Sequence, residues 1–126
     1  MKFSKIVFNL AGIWGIGTVL PVYFLEGYIG HHSPPAITHP EFFYGFVGVT
    51  LAWQLVFLTI AKDPIRYRAF ILPAVLEKAS YVLAIAALLA THKIAPAVAV
   101  PSISDLTWCL LFVAAYFKTS VSSQAL

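Results

Sequence analysis

Residues 42–61 read FFYGFVGVTLAWQLVFLTIA, twenty positions without an Asp, Glu, Lys or Arg. At about 1.5 Å of rise per residue, such a run is about 30 Å long as a helix, the thickness of the hydrocarbon core of a bilayer. A barrel strand would be shorter and would alternate apolar with polar side chains, which this run does not do. Inside lipid the backbone must satisfy its own hydrogen bonds, so the run predicts a transmembrane helix.

Three further segments have the same character: residues 6–25, 70–90 and 95–117. Pro96, Pro101 and Asp105 interrupt the first half of the last one, leaving 106–117 as its secure part. The chain as a whole is 60% hydrophobic and 10% charged, against about 45–50% and about 25% in ordinary soluble domains. The expectation is an all-α, four-transmembrane-helix bundle forming one membrane domain over residues 1–126. Lys2 and Lys5 precede the first apolar run as they would in a signal peptide. That run exceeds the usual 7–15 residues of a signal core and has no small-residue cleavage site after it, so a retained span is expected.

Loop composition suggests the orientation. Lys2 and Lys5 precede the first span, Lys62, Arg66 and Arg68 lie between the second and third, and Lys118 follows the fourth. The other side carries only Lys93 in its two loops. By the positive-inside rule both termini are expected in the cytoplasm. HHSPPAITHP, residues 31–40, has three prolines and no helical period and reads as a loop, and Asp63-Pro64 is a turn signal.

Several function classes are disfavoured. A single cysteine, Cys109, leaves no internal disulfide, redox pair or cysteine-rich metal site. The net charge of +3 comes from scattered residues that make no nucleic-acid-binding stripe or motif. No nucleotide loop, nucleophile motif or haem-ligand pattern is present, and no cofactor is expected.

The third span holds the feature that asks for chemistry, Glu77 beside Lys78 within PAVLEKASYVLAIAALLA. On a helix the two are about 100° apart, with Ala74 and Tyr81 between them in azimuth, so they define one polar sector. Each charge costs about 2.5–3.5 kcal/mol at a span centre, so the sector should face protein. Asp105 in the fourth span offers a partner. It shares a helical stripe with Cys109, Phe112 and Tyr116, and an interhelical pair with Lys78 would satisfy two costly groups. Glu77 would then be left for Tyr81, Gln54 or water, since pairing Glu77 with its immediate neighbour Lys78 is awkward on a helix. The plainer role of Glu77, Lys78 and Asp105 is glue that fixes helix register. The functional role is a proton-handling or ligand-binding site, with Glu77, Lys78 and Asp105 as catalytic candidates and Gln54, Trp53, Tyr81 and Trp108 as ligand-binding candidates.

Other residues carry weaker signals. Ala11, Gly12, Gly15 and Gly17 cluster on the first span, and Gly45, Gly48, Ala52 and Thr59 on the second. Such faces serve close helix packing within the chain or, failing that, a homo-oligomer. His31, His32 and His39, with Glu26 and Glu41 nearby, have donor types that suit a transition metal. Their spacing matches no metal motif, so no metal is expected. His92 reads as an interfacial residue. PEFFYGF, Trp14, Tyr23, Tyr28, Tyr67 and Tyr116 fit an aromatic belt.

THPEFFYGFVGVTLAWQLVFLTIAKDPIRYR (residues 38–68) and LPAVLEKASYVLA (residues 72–84) carry a resemblance to small, functionally uncharacterised bacterial four-helix integral membrane proteins, broadly DoxX-like in architecture. The similarity to DoxX-like chains is architectural, since their motifs are absent. The resemblance implies a bacterial cytoplasmic (inner) membrane and membrane lipids as partners, and it supplies no catalytic residues. The leading expectation is a structural, accessory or ligand-binding bundle. The alternative is an intramembrane acid/base enzyme, isomerase-like, or a proton-coupled carrier acting on a lipid-like molecule, with Glu77 as base. A pocket at Glu77 would favour the second, and a sealed ion network the first.

Overall fold

The computed structural model describes residues 2–125, with side chains described for residues 2–120. The described residues form five α-helices: α1 (Lys2–Val19), α2 (Glu26–His32), α3 (Pro40–Lys62), α4 (Ile71–Ala90) and α5 (Pro101–Ala125). Short 3-10 turns at Leu20–Phe24, Arg68–Phe70 and Pro96–Ala99 extend α1, α4 and α5. With those turns included, four helices are long and apolar enough to span a membrane: Lys2–Phe24, Pro40–Lys62, Arg68–Ala90 and Pro96–Ser120. By helix length and composition the chain is an all-α, multi-pass membrane protein. The outward faces agree, with Phe24, Phe42, Leu76 and Leu83 all strongly exposed, a pattern that in water would be an aggregation hazard.

Proline and caps set the helix boundaries. Pro21 falls just after α1 and opens the following 3-10 turn, and Pro40 starts α3 at a position that needs no backbone donor. Pro101 does not interrupt the fourth span as the sequence reading expects: it is the first residue of α5, and the helix is continuous through Asp105. Asp63 ends α3 ahead of Pro64, and its Oδ1 accepts the Arg66 amide at 3.1 Å, closing the turn into α4. The first loop is more ordered than its composition suggests. Residues Glu26–His32 form a helix, held by the Tyr44 hydroxyl, which donates to Glu26 Oε2 at 2.7 Å.

α4 ends on a Schellman motif. The His92 amide bonds the Leu89 carbonyl at 3.1 Å, the Lys93 amide bonds Leu88 at 2.9 Å, and His92 itself takes a φ of 57°. His92 was expected only as an interfacial residue, but its backbone terminates a helix.

α1 packs along α3 and also meets α5, α4 packs along α5, and α3 and α4 touch only slightly. Lipid provides no hydrophobic drive between spans, so close approach and dispersion must hold this arrangement. At the α1–α3 contact, a Cβ on Gly12 would meet Leu58 and one on Gly15 would overlap Gln54, which is why these positions lack side chains. The small face of α3 is different: Gly45, Ala52 and Thr59 are exposed, and of that set only Gly48 is covered, by the Tyr23 hydroxyl. Where α1, α3 and α5 converge, Phe8 and Phe112 stack at 4.4 Å between centroids and Phe57 meets Phe112 edge-on at 4.9 Å. All three rings are fully buried.

One end of the bundle collects basic groups. The Arg68 guanidinium lies 3.7 Å from the centroid of the Tyr116 ring, and the Lys118 ammonium 4.3 Å from that of Phe3. These contacts bring the start of α1, the α3–α4 turn and the later part of α5 together.

Candidate functional site

The polar sector of α4 is assembled from the aromatic core outward. Lys78 leaves α4 toward α5, its ammonium 5.4 Å from the centroid of the buried Phe57 ring. There Nζ donates to Asp105 Oδ1 at 3.1 Å and lies 3.6 Å from Glu77 Oε2. The interhelical pair inferred from helical spacing is therefore present, and the continuous α5 accounts for it. The sequence-adjacent contact, judged awkward, forms as well. The lysine stem is long enough to bring its nitrogen between the two carboxylates. The Lys78 side chain is 6% exposed, Glu77 15% and Asp105 22%.

Two of these three groups face a crevice. The slight contact between α3 and α4 leaves a partly enclosed space of about 430 Å³, within the range of small-molecule sites. Phe46, Val49, Thr50 and Trp53 form its α3 wall. Pro73, Leu76, Glu77, Ser80 and Tyr81 form its α4 wall, and Asp105 reaches in from α5. Lys78 is not part of the lining and stays behind the carboxylates. The wall is mainly apolar, and both acidic groups of the cluster reach it. Glu77 Oε2 is itself sealed, without a hydrogen bond and 3.6 Å from the Lys78 ammonium.

The structure separates the remaining candidates. Trp53 and Tyr81 line the crevice, and the Tyr81 ring stacks on Phe46 at 6.1 Å. Gln54 points elsewhere: it is fully buried against Gly15 of α1, and its Nε2 donates to the Thr50 carbonyl at 2.8 Å. It cannot serve Glu77 from there. Trp108 packs against the core and does not line the crevice. Cys109 turns toward α4, its Sγ 3.8 Å from the Val75 carbonyl.

The histidines are not assembled into a centre. Among the described residues no group of three or more His, Cys, Asp or Glu side chains is placed to hold a metal ion. His32 Nδ1 lies 3.0 Å from the Tyr28 carbonyl and His39 Nδ1 3.3 Å from Glu41 Oε1, both exposed local contacts. His31 faces a shallow recess beside Glu26, apart from His39.

Phe46, Val49, Thr50, Pro73, Leu76 and Ser80 complete the crevice and are not among the site residues expected from the sequence. Ser80 carried a usable signal, because it lies three residues after Glu77 and on the same helix face. Phe46 was assigned to the aromatic belt, and Pro73 and Thr50 carried no signal that separates lining from packing.

As chemistry, the arrangement can hold the polar end of an amphiphile at Glu77 and Asp105 while Phe46, Trp53 and Leu76 contact its apolar part. Comparison with protein families, characterised proteins and solved structures returns no match. No family is thereby identified, and the four-span reading rests on helix length and composition.

Proposed function

We propose that this chain is a single-domain membrane protein whose α3–α4 crevice binds one lipid-like amphiphile entering laterally from the bilayer. Both termini lie on the cytoplasmic side in this reading. Lys2, Lys5, Lys62, Arg66, Arg68 and Lys118 all flank the same ends of their spans, as the positive-inside rule requires. The bacterial cytoplasmic membrane is the setting that the sequence resemblance implies. The observation that carries the binding role is the crevice itself, with Glu77 and Asp105 in its wall. Register-fixing glue needs Lys78 and Asp105 but gives no reason for a third charge facing a cavity.

Purification with bound lipids retained, followed by native mass spectrometry of wild type and Glu77→Gln, tests this reading. A species retained by the wild type and lost in the variant supports it. The absence of any adduct in either protein returns the cluster to a structural role.

The position of Glu77 and Tyr81 in the crevice wall also favours a second reading, an intramembrane acid/base enzyme. Glu77 would take a proton from the bound molecule, Tyr81 would orient it, and Lys78 and Asp105 would set the local charge. Conversion of a retained species on incubation with wild type, and not with Glu77→Gln, separates catalysis from binding alone.

A further inference from the structure

The crevice wall has a sign. Glu77 and Asp105 reach it, among the described residues no basic side chain lines it, and the compensating cation Lys78 is buried behind them. Two carboxylates against one ammonium leave an excess of one negative charge in a space open to lipid, where an unbalanced charge costs several kcal/mol. Phe46, Trp53 and Tyr81 turn aromatic rings to the same space. Ring faces attract cations, quaternary ammonium groups in particular, and do so more strongly where water is excluded. Charge and ring lining suit the same class of molecule. An anionic head group would meet two like charges, and a neutral one would leave the excess uncompensated.

We infer that the crevice selects a cationic amphiphile, an alkyl amine or alkyl ammonium whose head group lies between Glu77 and the Trp53 and Tyr81 rings and whose tail follows the α3–α4 gap into lipid. This rests on the proposed binding role and narrows its ligand class. The chain's own net charge of +3 repels cations in general, so cation selectivity must arise locally.

The test uses the full chain in an uncharged maltoside detergent with three probes that share one alkyl chain: the trimethylammonium, the alcohol and the sulfate. The trimethylammonium carries a permanent charge, so its own protonation does not enter. Retention per chain is read by native mass spectrometry. The expected result is retention of the cation at least about tenfold above the alcohol, with the sulfate weakest, equivalent to about 1.4 kcal/mol of selectivity. Glu77→Gln brings the cation down to the level of the alcohol. Trp53→Leu keeps an apolar wall and lowers the cation several-fold relative to the alcohol; this variant carries the test if Glu77→Gln does not fold. Ser80→Trp fills the crevice and removes retention of every probe.

Retention of the alcohol or sulfate equal to that of the cation, abolished by Ser80→Trp, overturns the charge assignment and leaves the binding role standing. No probe retained, or retention indifferent to Ser80→Trp, overturns the binding role itself.

Discussion

Lys78 Nζ and Asp105 Oδ1 lie 3.1 Å apart, joining adjacent helices whose paired residues are 27 positions apart in the chain. The same nitrogen is 3.6 Å from Glu77 Oε2, which makes the two ends of the pair unequal. Removing the cation leaves two carboxylates facing each other. Removing Asp105 leaves Lys78 with Glu77. Lys78→Met is therefore expected to cost about 3–5 kcal/mol, the usual loss when a buried pair is broken from one side. Asp105→Asn should cost less by at least about 1 kcal/mol, because the fallback contact remains. Reversible unfolding in mixed micelles measures both, and equal losses would show that Glu77 gives Lys78 no support.

The glycines divide by what a methyl group would meet. At Gly12 and Gly15 a Cβ would run into Leu58 and Gln54, whereas at Gly17 and Gly45 it would meet nothing within 4 Å. Gly12→Ala and Gly15→Ala are expected to lose about 1–3 kcal/mol through overpacking. Gly17→Ala and Gly45→Ala should be neutral or gain up to about 1 kcal/mol from better helix propensity. Thermal unfolding of the four variants in one detergent checks the ordering. A loss at Gly45 equal to that at Gly15 would mean that the outer face of α3 is packed against something in solution.

His92 holds a left-handed conformation at φ 57° where α4 ends. A side chain other than glycine is disfavoured there by about 1–2 kcal/mol, although histidine tolerates the region better than most residues. His92→Gly is expected to raise stability by about 0.5–1 kcal/mol, after the extra freedom of glycine in the unfolded chain is subtracted. His92→Val should lower it. If the two variants unfold together, the Schellman turn does not limit stability.

Much of this architecture was legible because membrane spans announce themselves by length and apolarity alone. Helical spacing also related Asp105 to Cys109 and Phe112, and that stripe does turn inward: Phe112 is fully buried and Asp105 meets Lys78. Neighbour choice was not legible. In lipid every apolar face looks alike, so periodicity cannot say that α3 and α4 stand apart while α1 and α3 are pressed together. That gap decides which residues line the crevice, and it explains why Trp108 went to the core. Gln54 was misplaced for a related reason. A long polar side chain on a crowded face needs a partner without a Cβ, and Gly15 on α1 met that need better than anything near Glu77. The Glu77–Lys78 contact was missed because helix azimuth describes Cβ directions and not where a flexible four-carbon stem can carry an ammonium.

Glu77 is where stability and function should part. Lys78 and Asp105 already form a neutral pair, so Glu77 adds a second negative charge that must share the same ammonium, at the longer distance of 3.6 Å. Glu77→Gln removes that charge with little change in volume. The variant is expected to unfold no earlier than wild type and to gain up to about 2 kcal/mol, in contrast to the large loss at Lys78→Met. If Glu77 were part of the register-fixing glue, Glu77→Gln would instead lose stability alongside Lys78→Met. Unfolding of wild type, Glu77→Gln and Lys78→Met in the same micelles, read beside the retention of bound amphiphile, decides between them. A residue whose neutralisation stabilises the bundle while removing its ligand is kept for binding, since packing alone would select against it. A destabilised Glu77→Gln with unchanged retention would assign the charge to the fold.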